Sequence, residues 1–161
     1  MMEKMLVSGV TLDKDAARVS IIGVPDQPGV AFSIFNALAQ KDINIDMILQ
    51  SVGRDNTKDI SFTIDDGELN TALEVMEGVK KMLNAQKLEY SDNVAKLSVV
   101  GAGMATHAGV AAKVFESLYS AGINITMIST SEIRVSVLID EEDANRAVRA
   151  VHDAFDLGEA V

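Results

Sequence analysis

The chain has 161 residues, carries 24 acidic against 14 basic side chains for a net charge of −10, and contains no cysteine. The charge opposes nucleic-acid phosphates and anionic membrane surfaces, and five Phe, two Tyr and no Trp supply few platforms for stacking bases. Disulfides, thiolate metal sites and thiol nucleophiles are excluded, no apolar run reaches the ~18 residues of a membrane span, and MMEKMLVSGV lacks the layout of a signal peptide, all of which fits a cytoplasmic protein.

The first element expected is a strand over Lys4–Leu12. A second apolar run, Val19–Val24, reads as a buried strand and ends at a turn. Asp26 then suits a helix N-cap and Pro28 the first helical turn. Ile34, Phe35 and Leu38 make the apolar stripe of that helix. After a polar link, Gln40–Asp42, a strand is expected over Ile43–Gln50. Ile43, Ile45, Met47 and Leu49 would share one face, with Asn44, Asp46 and Gln50 on the other. Gly53–Lys58 reads as a flexible surface loop. A strand over Ile60–Ile64, a helix over Glu68–Met82 and a strand around Lys87–Tyr90 complete a β-α-β-β-α-β order. Asp65 and Asp66 favour the start of that second helix through the macrodipole.

The chain then says nearly the same thing again. Leu97–Gly101 repeats the strand, Thr106 stands where Asp26 does, and Val114, Phe115 and Leu118 repeat the stripe. Gly29/Gly109, Phe35/Phe115, Leu38/Leu118, Asn44/Asn124 and Met47/Met127 hold an offset of 80, which drops to 75 at Ile60–Asp65 against Val135–Asp140. A strand over Ile133–Ile139 and a helix over Glu142–Ala154, opened by Glu141-Glu142-Asp143, follow. Only Phe155–Val161, a weak strand, remains to end the second copy. The economical arrangement has Lys4–Leu12 complete the second sheet, so that the first copy is inserted in the second. The domains expected are 16–92, and 1–15 plus 93–161. The fold class expected is α+β: two ferredoxin-like βαββαβ domains, with antiparallel sheets and helices on one face. Two units of roughly 75 residues are each near the lower limit for an independent core, so packing between copies or chains should matter.

Catalytic signals are absent. Gly101-Ala-Gly103 opens like a dinucleotide fingerprint, but Thr106 and the β-α-β-β continuation do not suit one. His107 and His152 are isolated from carboxylates at ligand spacing, and no nucleophile elbow or phosphate loop is present. No catalytic residue, metal or cofactor is therefore expected. The two helix starts are different. Pro25–Ala31 and Met104–Ala111 place free backbone N–H groups beside small residues, an arrangement that can hold a carboxylate. Asn44, Asp46, Gln50, Asn124 and Ser129 offer partners for an ammonium or a polar side chain. The competing reading is two capped helices with ordinary turn glycines.

The strand, the turn Asp-x-Pro-Gly, the helix and Ile43-Asn-Ile-Asp-Met47 resemble the ACT domain, a ferredoxin-like amino-acid-sensing module. Val19–Asp65, Lys96–Met104 and Ile128-Ser-Thr-Ser-Glu-Ile-Arg-Val-Ser-Val137 look more closely like the regulatory part of bacterial aspartate kinase, a resemblance that covers essentially the whole chain. It implies lysine, threonine or both as feedback effectors, a homodimer, and association with a catalytic aspartate kinase subunit or domain. The alternative is an ACT-type sensor of another biosynthetic enzyme, against which Ser129–Arg134 argues. An acylphosphatase-like enzyme would need an Arg in its first loop, and neither Val24–Gly29 nor Ala102–Gly109 has one. By position, the resemblance implies effector contacts from Asp26, Pro28, Gly29, Val30, Ala31 and Gln50, facing Asn124 and Ile125 of a partner chain. The second pocket would use Met104, Thr106, Ala108, Gly109, Val110 and Ser129 with Asn44, Ile45 and Asp46. Ala108 stands where many relatives carry Pro, as the first copy does at Pro28.

Overall fold

The computed structural model describes residues 7–101 and 108–155. It runs β1 (Val7–Pro25), α1 (Val30–Ala39), β2 (Ile48–Val52), β3 (Thr57–Asp65), α2 (Leu69–Leu83), β4 (Lys87–Gly101), α3 (Ala108–Ser120), β5 (Met127–Thr130), β6 (Arg134–Asp140) and α4 (Ala144–Ala154). The chain divides into a unit of 15–92 and a unit of 1–14 plus 93–161. Each is an antiparallel α+β unit of the ferredoxin-like kind: β2-β3-β1-β4 in the first, β1-β4-β6-β5 in the second.

Strands β1 and β4 are the main departure from the sequence expectation. From Val7 onward, the strands expected at Lys4–Leu12 and Val19–Val24 belong to one strand, residues 4–6 lying outside the described residues, and those at Lys87–Tyr90 and Leu97–Gly101 likewise belong to one. Asp13-Lys14-Asp15 and Ser91-Asp92-Asn93 have the composition of turns, yet pairing overrides propensity here. Ala16, Ala17 and Arg18 sit opposite Asp65, Ile64 and Thr63 of β3, and the two alanines are buried.

The core of the 15–92 unit lies between its sheet and two helices. Val19, Ile21, Ile60 and Phe62 from the strands meet Val30, Ile34 and Leu38 of α1 and Ala72, Met76 and Val79 of α2. Phe35 stands edge-on to Phe62, with ring centroids 5.9 Å apart at 76°. The other unit repeats the plan with Leu97, Val99, Val135 and Val137 against Val110, Val114 and Leu118 of α3 and Ala147, Val151 and Phe155, and Val10 and Leu12 of β1 pack against it. Away from the helices, the Ser20 and Ser61 hydroxyls bond at 2.7 Å and, in the repeat-equivalent place, those of Ser98 and Ser136 at 2.8 Å.

Helix ends follow local chemistry. Both α1 and α3 close with the N–H of the second residue beyond the helical turn reaching back five positions: Ile43 to the Leu38 carbonyl at 3.2 Å and Ile123 to Leu118 at 2.9 Å. Asp42 and Gly122 take the left-handed conformation this requires, with φ of 56° and 72°. Helices α2 and α4 start one and two residues later than expected, behind single 3₁₀ turns at Asp66–Glu68 and Glu141–Asp143. The Asp65 carboxylate accepts from the Gly67 N–H at 2.9 Å. Arg146 of α4 donates to the Ala121 carbonyl and pairs with Asp143, each at 2.6 Å. Phe155 caps α4, so it does not begin a strand, and the rest of the expected strand lies outside the described residues.

Segment 43–47 belongs to no strand, so β2 begins at Ile48 instead of Ile43. The segment is still tied to β3, through Asp46 N–H to the Thr63 carbonyl and Met47 N–H to the Thr63 hydroxyl. Every residue of β2 is exposed, including Ile48 and Leu49 and, at 95% exposure, Val52. Leu49 therefore does not join Ile43 and Met47 in the interior, because it lies on an edge strand with no described layer over it. Gly53–Lys58 is built as a tight hairpin end. Asp55 and Asn56, with φ of 55° and 61°, make a type I′ hairpin turn, and Thr57 already belongs to β3.

Candidate functional site

In the 15–92 unit the start of α1 is built by Gly29. Its φ of 91° turns the chain, and it serves as N-cap with no side-chain cap bond. This corrects the sequence reading twice. Asp26 lies three residues before the cap and holds no helix N–H, and Pro28 precedes the cap instead of filling the first turn. Asp26 is engaged elsewhere: its N–H donates to the Asn56 carbonyl at 2.8 Å, and its carboxylate stands 3.7 Å from the Lys58 Nζ. The Ser33 N–H and hydroxyl both go to the Gly29 carbonyl, at 2.9 and 3.0 Å. The N–H groups of Val30, Ala31 and Phe32 are left as the orphan donors of the first turn, with no side chain assigned to cap them. Val30 points into the core, Ala31 is half-buried and Phe32 is 70% exposed.

Strand register decides which candidates share an end of the sheet. Gln50 on β2 lies opposite Ile60, and Ile60 opposite Ile21 on β1. Val52 lies opposite Lys58, which pairs with Val24, next to the loop that starts α1. Gln50, exposed, is thus at the same end as Asp26, Pro28, Gly29, Val30 and Ala31. Asn44, Ile45 and Asp46 are away from it: Asp46 is tied to Thr63, about 13 Å along the strand from Gln50. Asn44 and Asp46 are exposed and Ile45 is half-buried.

The second copy repeats the exposure pattern of the strand-side candidates. Asn124 is exposed, Ile125 half-buried and Ser129 exposed on β5 opposite Ser136. Gly109 is exposed and Val110 buried in the first turn of α3, which starts at Ala108, two residues earlier in the repeat register than α1. Met104 and Thr106, including the expected cap at Thr106, lie outside the described residues.

None of the candidate residues lines either of two described concavities. One, of about 580 Å³, is bounded by Lys14, Asn93, Asp140, Glu141, Glu142 and Asn145. The other, of about 430 Å³, lies behind the β2–β3 hairpin, between Gly23, Arg54, Asp59 and Gln86. The described candidates instead lie around the helix starts, on the exposed edge strands (Gln50 and Ser129) and on the segments that precede those strands. Among the described residues no group of three or more His, Cys, Asp or Glu is placed to hold a metal, and no helix is long and apolar enough to cross a membrane. Sequence reasoning missed Asn56 and Lys58, which hold the loop before α1. Asn56 beside Asp55 was the signal available, as a left-handed turn pair.

Two βαββαβ units, each ending its sheet in an exposed edge strand, define a tandem ACT protein. The chain belongs to the ACT domain family, whose model matches residues 19–78 and 97–155. It is 47% identical over 156 residues to an aspartate kinase of Stutzerimonas stutzeri, a match covering 97% of this chain and 38% of that one. It superposes on the regulatory subunit of aspartate kinase from Thermus thermophilus, in its ligand-free form, with a TM-score of 0.89 and 43% identity, covering 93% of this chain and 99% of that one. A structure of aspartokinase alpha and beta subunits matches with a TM-score of 0.87 and 47% identity over the same shares. The chain spans about 38% of the length of the curated relatives it matches, and it corresponds to the regulatory ACT portion of aspartate kinase.

Proposed function

We propose that this chain senses lysine, threonine or both, and transmits their binding as feedback inhibition to a catalytic aspartate kinase part. The observation that carries the reading is the uncapped start of α1 behind Gly29, at the sheet end that also presents Gln50. Backbone N–H groups of Val30 and Ala31 suit an α-carboxylate, through orphan donors and the positive end of the helix dipole. The Gln50 amide and the Asp26 carboxylate are acceptors for an ammonium. Gly109, Val110 and Ser129 repeat the set in the second copy. Asn124 and Ile125, or Asn44, Ile45 and Asp46, would close each half-site from a partner chain.

Titration calorimetry with lysine and threonine, singly and together, tests this. A bound effector should also raise the thermal midpoint, since a ligand held only by the folded state adds about 2.7 kcal/mol at a hundredfold excess over Kd. Asp46→Ala and Gln50→Ala should shrink that shift without unfolding the chain, because both side chains are exposed. No heat and no shift with either amino acid would sink the sensor reading and leave the fold untouched.

The half-sites imply a homodimer. Edge strand β2 exposes Ile48, Leu49 and Val52, and β5 exposes Ile128. Such edges demand cover, and closed two-fold pairs are the commonest way soluble chains supply it. Sedimentation at micromolar concentration with effector present should show twice the chain mass; a monomer would contradict the shared pocket.

A further inference from the structure

The effector pocket proposed for the first copy depends on where the loop 25–29 is held, and the described contacts hold it from the β2–β3 hairpin. Asp26 donates its N–H to the Asn56 carbonyl at 2.8 Å, and its carboxylate, 58% exposed, lies 3.7 Å from the Nζ of Lys58, which is only 17% exposed. An ion pair that open to solvent contributes little, so the backbone bond is the firmer of the two. The hairpin itself is pre-set. Asp55 and Asn56 take the left-handed pair of a type I′ turn, the Thr57 N–H returns to the Arg54 carbonyl at 3.1 Å, and the Thr57 hydroxyl donates to the same carbonyl at 2.6 Å. A Cβ on Gly53 would come within 2.7 Å of the Thr57 carbonyl oxygen, so the hairpin closes this way only on glycine.

The second copy has no hairpin of this length. The drop of the repeat offset from 80 to 75 removes five residues across this hairpin, and the sequence between Gly101 and Gly109 is two residues longer than that between Gly23 and Gly29. Its hairpin meets the preceding strand through the Gly101 N–H and the Ile133 carbonyl at 2.8 Å. We propose that the Gly53–Thr57 hairpin is a latch that positions the first copy's effector loop through the Asn56 carbonyl, so that this pocket is pre-organised before the effector arrives. Asn56, Lys58 and Gly53 are positioning residues here, and the proposal rests on the effector reading above. Pre-organisation raises affinity by removing the ordering cost from binding.

The test uses the full chain with lysine and threonine as probes. Effector affinities are read at each pocket from the NMR shifts of the Val30 and Val110 amides, and hydrogen exchange is followed at the Asp26 amide. Asn56→Val puts a β-branched residue at φ 61°, whereas Asn56→Gly keeps the turn. The expected result is a protected Asp26 amide in the parent and in Asn56→Gly. Asn56→Val should lose that protection and bind about tenfold more weakly at Val30, the scale of one hydrogen bond, with Val110 unmoved. Should Asn56→Val not fold, Gly53→Ala strains the same hairpin from its other side and should weaken Val30 alone. Lost protection with unchanged affinity overturns the latch, as does an unprotected Asp26 amide in the parent. A parent that binds neither amino acid overturns the effector reading itself, a result distinct from either.

Discussion

Phe62→Ala is expected to destabilise the 15–92 unit by about 3–5 kcal/mol, the usual cost of emptying a buried aromatic position. The ring is fully buried, meets Phe35 edge-on at 5.9 Å and sits in β3 opposite Val19 of β1 and Ile48 of β2. Removing it takes core contacts from α1 and from the central strand together. Against a total stability of about 5–15 kcal/mol, that loss should leave the unit marginal. Hydrogen exchange locates the effect. Opening free energies of the Val19, Ile21 and Ile60 amides should fall, while those of Leu97, Val99 and Val137, in the core of the other unit, hold. An equal fall in both sets would mean that the two units unfold as one, against the division of the chain at 14/15 and 92/93.

The repeat made the βαββαβ order legible, because apolar stripes at Ile34/Leu38 and Val114/Leu118 and buried runs at Val19 and Leu97 recur in step. Boundaries were less so. The sequence divided β1 and β4 into two strands each, and only pairing with neighbouring strands, invisible in local composition, carries them through Asp13–Asp15 and Ser91–Asn93. The start of α1 was misplaced by the same kind of limit. Asp26 has good capping chemistry, but the left-handed Gly29 sets the cap, and the Asn56 carbonyl and Lys58, about thirty residues on, claim Asp26. Alternation in Ile43–Gln50 suggested a strand with one buried face. It failed at Leu49 because β2 is an edge, and an edge's cover depends on what docks there.

Gly29→Val is expected to weaken effector binding at the first copy by between about fivefold and 150-fold. The residue holds φ 91°, where a β-branched side chain carries roughly 1–3 kcal/mol of backbone strain. No atom lies within 4 Å of where its Cβ would stand, so the effect comes from conformation and not from a clash. Relief of the strain moves the peptide planes at Val30 and Ala31, the N–H groups assigned to the effector's carboxylate. Gly29→Asn separates the two causes, since Asn tolerates left-handed backbone far better than Val and should retain most of the affinity. When the chain is assembled with its proposed catalytic partner, the half-inhibitory effector concentration should rise for Gly29→Val by the same factor as Kd. Inhibition is a coupling between two sites, and an effector shifts the equilibrium only by its differential affinity. Calorimetry on the valine and asparagine variants, beside inhibition curves for the assembled enzyme, measures both quantities. Binding by Gly29→Val as tight as in the parent would remove the start of α1 from the effector site.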